Sequence, residues 1–291
     1  MTDDHSPTRG EPGQERPDGT AGTGIDTTVP HSARIWNYWL GGKDNYAVDR
    51  EVGDEFLAIF PGQADIARHS RAFLGRVVRY LSSEAGIRQF LDIGTGLPTV
   101  DNTHEVAQRV ARQARIVYVD NDPLVLAHAR ALLTSTPEGA CDYIDADLHD
   151  PDRIVTEAAR TLDFAQPIGV IMLGIIGHIP DEDAPQEILA RLLSRLSPGS
   201  YVVLNDGTNV LHGQMAGEPA EDSARARAIA RYAAASGVPY HLRTPEQIEG
   251  FFAGLELIDP GVVSVSQWRA ESTPFGPPPT VDAFCGVGRK P

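Results

Sequence analysis

Asp92, Asp120, Asp145 and Asp147 fall at the ends of three successive short apolar runs, 88–92, 115–119 and 141–144. Read as neighbouring strands of a parallel sheet, these runs set their carboxylates along one edge, the edge at which open α/β sheets bind ligands. A row of acids there suits a cation rich in hydroxyl and amino donors. Asp120, at the end of the second strand, is the candidate for a ribose diol. Asp147 is the candidate for an exocyclic amine, with Asp145 and Leu148 competing for that contact and Asn121 beside Asp120. Gly94 and Gly96 follow Asp92 in the pattern D-x-G-x-G, with Thr95 between them. Glycine lets a backbone approach a ligand closely. A nicotinamide dinucleotide would want a third glycine at position 99, where Thr99 stands, and its pyrophosphate would meet a rim of carboxylates.

A second group of residues could serve a reaction. His178 follows the fourth apolar run, and its ordinary titration range suits a general base. The segment 32–46 holds two of the three tryptophans and two of the eight tyrosines, and it contains the block Gly41-Gly42-Lys43-Asp44-Asn45-Tyr46. Tyr46 and Trp39 could face a cation with their rings, so Tyr46 stands beside His178 as a catalytic candidate. Lys43, Asp44 and Asn45, a polar triplet among aromatics, are expected to fold over the strand ends as a lid, with Trp39 on the substrate side. His69 and Arg71 lie close enough along the chain to join them.

The elements that must position these residues alternate. A helix over 49–60 is closed by Pro61-Gly62, and a long helix over 65–85 has Asp65 as cap and Gly86 just past its end. After the glycines, 97–101 is a loop, and Asn102-Thr-His-Glu105 has the form of a capping box. Asp122-Pro123 and Asp150-Pro151 open further helices, so Asp122 and Asp150 are read as caps. Runs 168–173 and 201–204 supply a fourth and a fifth strand, with a helix over 184–196 between them. Helices over 221–236 and 244–253 and strands over 255–258 and 283–288 follow. Strands alternating with amphipathic helices imply an α/β fold with a parallel sheet and helices on both faces.

Composition narrows the function classes. The chain has 291 residues and a formal net charge of −15, which repels phosphate backbones and anionic membrane surfaces. The two cysteines, Cys141 and Cys285, give neither a disulfide framework nor a metal site, and no metal is expected. The longest apolar run, 168–179, is too short to span a bilayer. With no signal-peptide pattern, a cytoplasmic protein is expected. Residues 1–24 hold almost nothing apolar and are expected to be a disordered tail. One domain is expected over 25–291, with a helical lid segment at 25–86 ahead of a core at 87–291.

The D-x-G-x-G stretch resembles the first motif of S-adenosylmethionine-dependent methyltransferases with a Rossmann-like sheet. Together with Gly41–Tyr46, Asn102-Thr-His-Glu-Val106, Tyr118-Val-Asp-Asn-Asp-Pro123, Asp145-Ala-Asp147 and Pro180-Asp-Glu-Asp183, it is similar to an uncharacterised actinobacterial family of S-adenosyl methyltransferases. The similarity runs from about residue 25 to residue 290. It implies a seven-stranded sheet with the last strand antiparallel, and S-adenosylmethionine as cofactor. That cation carries a sulfonium, an ammonium, a ribose diol and an amine, the character the acidic rim suits. The implied function is methyl transfer to a small-molecule acceptor, and the alternative is a non-catalytic protein that binds the cofactor or its product. In the broader class a helix begins almost directly after the glycines and faces the methionine carboxylate. Here Pro98 and its neighbours intervene, which leaves loop amides, Thr95 or Lys43 for that contact.

Overall fold

The computed structural model describes residues 26–132, 134–211, 223–271 and 276–291. The expected tail at 1–24 and the first two residues of the helix expected at 221 lie outside the described residues. Three helices come first: α1 (Ser32–Trp39), α2 (Ala47–Ile59) and α3 (Gln63–Ser83). Then β1 (Gln89–Ile93), α4 (Thr103–Val110), β2 (Arg115–Asp120), α5 (Pro123–Leu132), β3 (Ala140–Asp145), α6 (Pro151–Ala158) and β4 (Gly169–Leu173) alternate. The chain continues through α7 (Pro185–Ser194), β5 (Tyr201–Gly207), α8 (Ala224–Ser236) and α9 (Pro245–Gly250). It ends with β6 (Glu256–Leu257), β7 (Val263–Ser264) and β8 (Ala283–Arg289).

The strands form one sheet in the order β3-β2-β1-β4-β5-β8-β6, with β7 also paired to β8. β1 to β5 are mutually parallel, and β8 runs antiparallel to β5. The order turns back on itself between β1 and β4, and a crevice opens at such a reversal. Register sets Asp120 directly beside Asp145. The expected antiparallel last strand is present. The two-residue β7 makes eight strands where seven were expected.

Alternation along the strands builds a core on each face of the sheet. Phe90, Ile116, Ile171 and Val203 point toward α3, where they meet Phe73, Val77 and Leu81. Their neighbours Leu91, Val117, Val170 and Val202 point toward α6, α7 and α9. Each fully buried side chain of this size contributes about 1.5–3 kcal/mol. Trp268 is fully buried against Phe73, with ring centroids 5.5 Å apart edge to face, and it fixes the loop before β8 onto α3.

Several boundaries differ from the sequence reading. α3 starts two residues early, at Gln63, and Asp65 pairs with Arg68 across one turn instead of capping. β5 continues through Asn205 and Asp206 to Gly207 because β8 pairs with it along that whole length. The capping box at Asn102 and Glu105 and the caps at Asp122 and Asp150 form as expected.

Candidate functional site

A cavity of about 400 Å³ opens at the carboxyl ends of the strands. On the β1–β2–β3 side it is lined by Asp92, the Gly94–Gly96 turn, Asp120, Asn121, Asp147 and Leu148. On the β4–β5 side His178, Asn205 and Asp206 line it, and α1, α2, α3 and α8 close over the top with Trp39, Phe56, Gln63 and Tyr232.

The acidic rim is built by backbone geometry. Gly94 and Gly96 both have left-handed backbones, φ +69° and +66°. A Cβ on Gly94 would lie 2.3 Å from Ile175 Cδ1 and would sit on a left-handed backbone that other residues adopt only under strain. The Gly96 N–H donates to Asp120 Oδ2 at 2.9 Å and the Asp122 N–H donates to Asp120 Oδ1 at 2.9 Å. A carboxylate has about four acceptor sites, so these two bonds aim Asp120 while leaving capacity on both oxygens. Burial raises the Asp120 pKa above the usual carboxylate value, against the pull of the two amides.

Asp92 is buried at the floor of the rim and accepts a 2.6 Å bond from Thr103 Oγ1. Burial pushes its pKa up to about 6, opposed by Thr103 and by the Arg71 guanidinium. Arg71 also lines the cavity, held by Val100 O and by Asn102 Oδ1 at 3.0 Å. Asn121 Nδ2 donates to Asp147 Oδ2 at 3.0 Å, and the His149 ring sits 2.5 Å from Asp147 Oδ1. Burial raises the Asp147 pKa, but the bonds from His149 and Asn121 outweigh it and hold the carboxyl below its ordinary value. α1 is tied to this side by His31, whose Nδ1 lies 2.9 Å from Asp122 Oδ2.

Across the cavity His178 Nδ1 is 2.9 Å from Pro239 O. A carbonyl only accepts, so Nδ1 carries the proton and Nε2 keeps its lone pair. Burial lowers the His178 pKa, so the ring is neutral at neutral pH. Tyr240 stands edge-on to it at 5.0 Å and donates its hydroxyl hydrogen to Asp206. Asp206 is fully buried and pairs with Arg243 at 3.2 Å. Burial nonetheless raises its pKa.

Of the residues singled out in the sequence, Asp92, Gly94, Thr95, Gly96, Asp120, Asn121, Asp147, Leu148, His178 and Trp39 line this cavity. Lys43, Asp44, Asn45, Tyr46 and His69 do not, and their expected roles are corrected here. Asp44 N–H and Asn45 Nδ2 both donate to Asn37 Oδ1, at 3.1 and 2.9 Å, so these two residues stitch a turn between α1 and α2. Lys43 is exposed. Tyr46 caps α2 and packs with Leu97, Leu124 and Val125 under the Arg34 guanidinium. His69 sits half-buried on another face of α3.

Sequence reasoning missed Gln63, Ser70, Asp206 and Tyr240. Asp206 had a signal, since it ends the fifth strand as Asp92 and Asp120 end theirs. Gln63 and Tyr240 had none: each reaches the cavity from a position whose spacing encodes nothing. Among the described residues no group of three His, Cys, Asp or Glu could hold a metal ion, and no helix is long and apolar enough to cross a membrane.

A protein-family model described as S-adenosyl methyltransferase matches residues 18–291. Among solved structures, the chain is 41% identical to a DUF574 family protein from Streptomyces avermitilis MA-4680, covering 91% of this chain and 99% of that one with a TM-score of 0.84. It is 36% identical to a candidate methyltransferase from Thermobifida fusca YX, covering 94% of this chain and 99% of that one with a TM-score of 0.80. No curated protein matches.

Proposed function

The chain belongs to the S-adenosyl methyltransferase family, and from that premise we propose that the acidic rim holds S-adenosylmethionine and the β4–β5 side of the cavity receives a small-molecule methyl acceptor. The protein is an S-adenosylmethionine-dependent methyltransferase with a Rossmann-like sheet. The observation that carries the placement is Asp120: a buried carboxylate aimed by the amides of Gly96 and Asp122, with acceptor capacity left over, at the end of the second strand.

In this reading Asp120 accepts the ribose hydroxyls, Asn121 and Asp147 meet the polar edge of the adenine, and Leu148 covers its face. The Gly94–Gly96 backbone lies against the methionine portion, where Asp92 faces the ammonium and Arg71 faces the carboxylate. Arg71 takes the role first considered for Lys43, because it lines the cavity beside Asp92 and Lys43 does not. When bound, the cofactor supplies an electrophilic methyl carbon on a sulfonium. The protein's part is alignment and exclusion of water. His178 Nε2 takes the proton from an acceptor O–H or N–H. Trp39, Phe56 and Tyr232 keep the chamber dry.

A cavity of about 400 Å³ matches small-molecule sites, which run to roughly 300–1,000 Å³. The net charge of −15 disfavours RNA as acceptor. Calorimetric titration with S-adenosylhomocysteine tests the cofactor placement: Asp120→Ala is expected to bind at least about tenfold more weakly, since bonds to a charged acceptor contribute about 1.5–3 kcal/mol. Equal affinity in the variant would remove Asp120 from the site.

A further inference from the structure

The acceptor side of the cavity holds a polar group that the protein itself leaves unsatisfied. Gln63, the first residue of α3, is 5% exposed and lines the cavity, and its Oε1 is buried with no hydrogen-bond partner. The carboxamide nitrogen makes no hydrogen bond among the described residues either. Burying an amide oxygen in this state costs about 1–3 kcal/mol, and most buried polar atoms avoid it.

Apart from His178 Nε2, held for the acceptor's proton, the nearby polar side chains are engaged with the protein. Ser70 Oγ accepts from Asn205 Nδ2 at 3.2 Å, and Tyr240 donates to Asp206. Arg225 also has an unpartnered Nε, but its guanidinium lies 5.4 Å from the Phe60 ring centroid and donates to the carbonyls of Thr208 and Asp282. Besides His178, the walls around Gln63 are aromatic. The Trp39 and Phe56 rings are 4.9 Å apart, and the Phe56 and Tyr232 rings are 6.2 Å apart. All three rings line the cavity with Gln63.

We propose that Gln63 is the recognition group for the methyl acceptor. The acceptor is then a neutral aromatic or heteroaromatic molecule whose edge carries a hydrogen-bond donor and acceptor side by side, as a lactam or phenolic hydroxyl does. A carboxamide offers one of each, so it matches such an edge in either orientation. Aromatic walls supply area and stacking but no preference among edges. A site built to bond a ligand's polar edge rejects an analogue without it far more strongly than an apolar wall rejects a small change in size. The inference rests on the reading of this side of the cavity as the acceptor side.

Calorimetry at saturating S-adenosylhomocysteine tests it, with quinolin-2-one as the probe and quinoline, which lacks the donor, as its control. The wild-type protein is expected to bind quinolin-2-one at least tenfold more tightly than quinoline. Gln63→Leu is expected to lose that preference while S-adenosylhomocysteine affinity stays within twofold, which also shows that the variant is folded. In urea, Gln63→Leu without ligand is expected to unfold at a midpoint no lower than wild type, because it removes an unsatisfied group. Retention of the preference in Gln63→Leu overturns the proposal, as does failure of both probes to bind while S-adenosylhomocysteine binds. If S-adenosylhomocysteine itself fails to bind the wild type, the cofactor placement falls first and this inference with it.

Discussion

Asp92 bears the largest conflict between fold and site, a carboxylate buried under the cofactor rim. Its ordinary pKa is 3.8 and folding raises it to about 6, mainly by burial. The folded protein therefore keeps the Asp92 proton to higher pH than the unfolded chain does. The resulting contribution to stability is fully present below about pH 4 and is lost as pH rises through about 6, amounting to about 3 kcal/mol across that window. Asp92→Asn keeps an acceptor for Thr103 and never ionises. It is expected to be more stable than wild type by about 1–3 kcal/mol at pH 7.5 and to differ little at pH 4, as read from urea unfolding at both values. The same difference at both pH values would contradict this account of Asp92. Asp92, Asp120 and the glycines could be found in the sequence because a parallel sheet places every strand end on one edge, so position along the chain translates directly into position at the site. Gln63 and Tyr240 could not, since nothing in residue type or spacing says which turn of a helix or loop meets a cavity.

At the scale of elements, the block from Gly41 to Tyr46 shows where reading by residue type fails. Lys43, Asp44 and Asn45 are polar and lie among aromatics, which suggested a ligand. Hydrogen bonds from Asp44 and Asn45 instead converge on Asn37, one helix earlier, and that partner becomes visible only when α1 and α2 fold together. Asn37 is 3% exposed, and Asn37→Ala removes the acceptor shared by Asp44 N–H and Asn45 Nδ2. The expected loss is about 2 kcal/mol, with weaker cofactor binding because α1 carries His31 and Trp39 into the cavity. Lys43→Ala is expected to stay within about 0.5 kcal/mol of wild type in urea and to leave S-adenosylhomocysteine affinity unchanged. A large effect of Lys43→Ala on affinity would restore the lysine to the site. Helix starts behaved in the same way. The capping box at Asn102 is local and was readable, whereas no residue type marked Gln63 as the start of α3.

At the scale of the whole molecule, the alternation of strands and helices fixes the parallel sheet, and the sheet order opens a crevice between β1 and β4. The short β7 escaped a reading by pattern, because two residues cannot show a period and β8 recruits them. A ligand seated in that crevice bridges the two sides of the sheet and the helices above it. S-adenosylhomocysteine at about 100 times its dissociation constant is expected to stabilise the protein by about 2.7 kcal/mol, visible as a rise of several degrees in Tm. Asp120→Ala at the same ligand concentration is expected to show a much smaller rise. The most direct measurement is a crystal structure with S-adenosylhomocysteine bound. The account predicts the ribose on Asp120, the adenine between Asn121, Asp147 and Leu148, and the sulfur facing the chamber formed by Trp39, Phe56, Gln63 and His178. A nucleoside bound elsewhere, or a rim filled by the protein's own side chains, would contradict it.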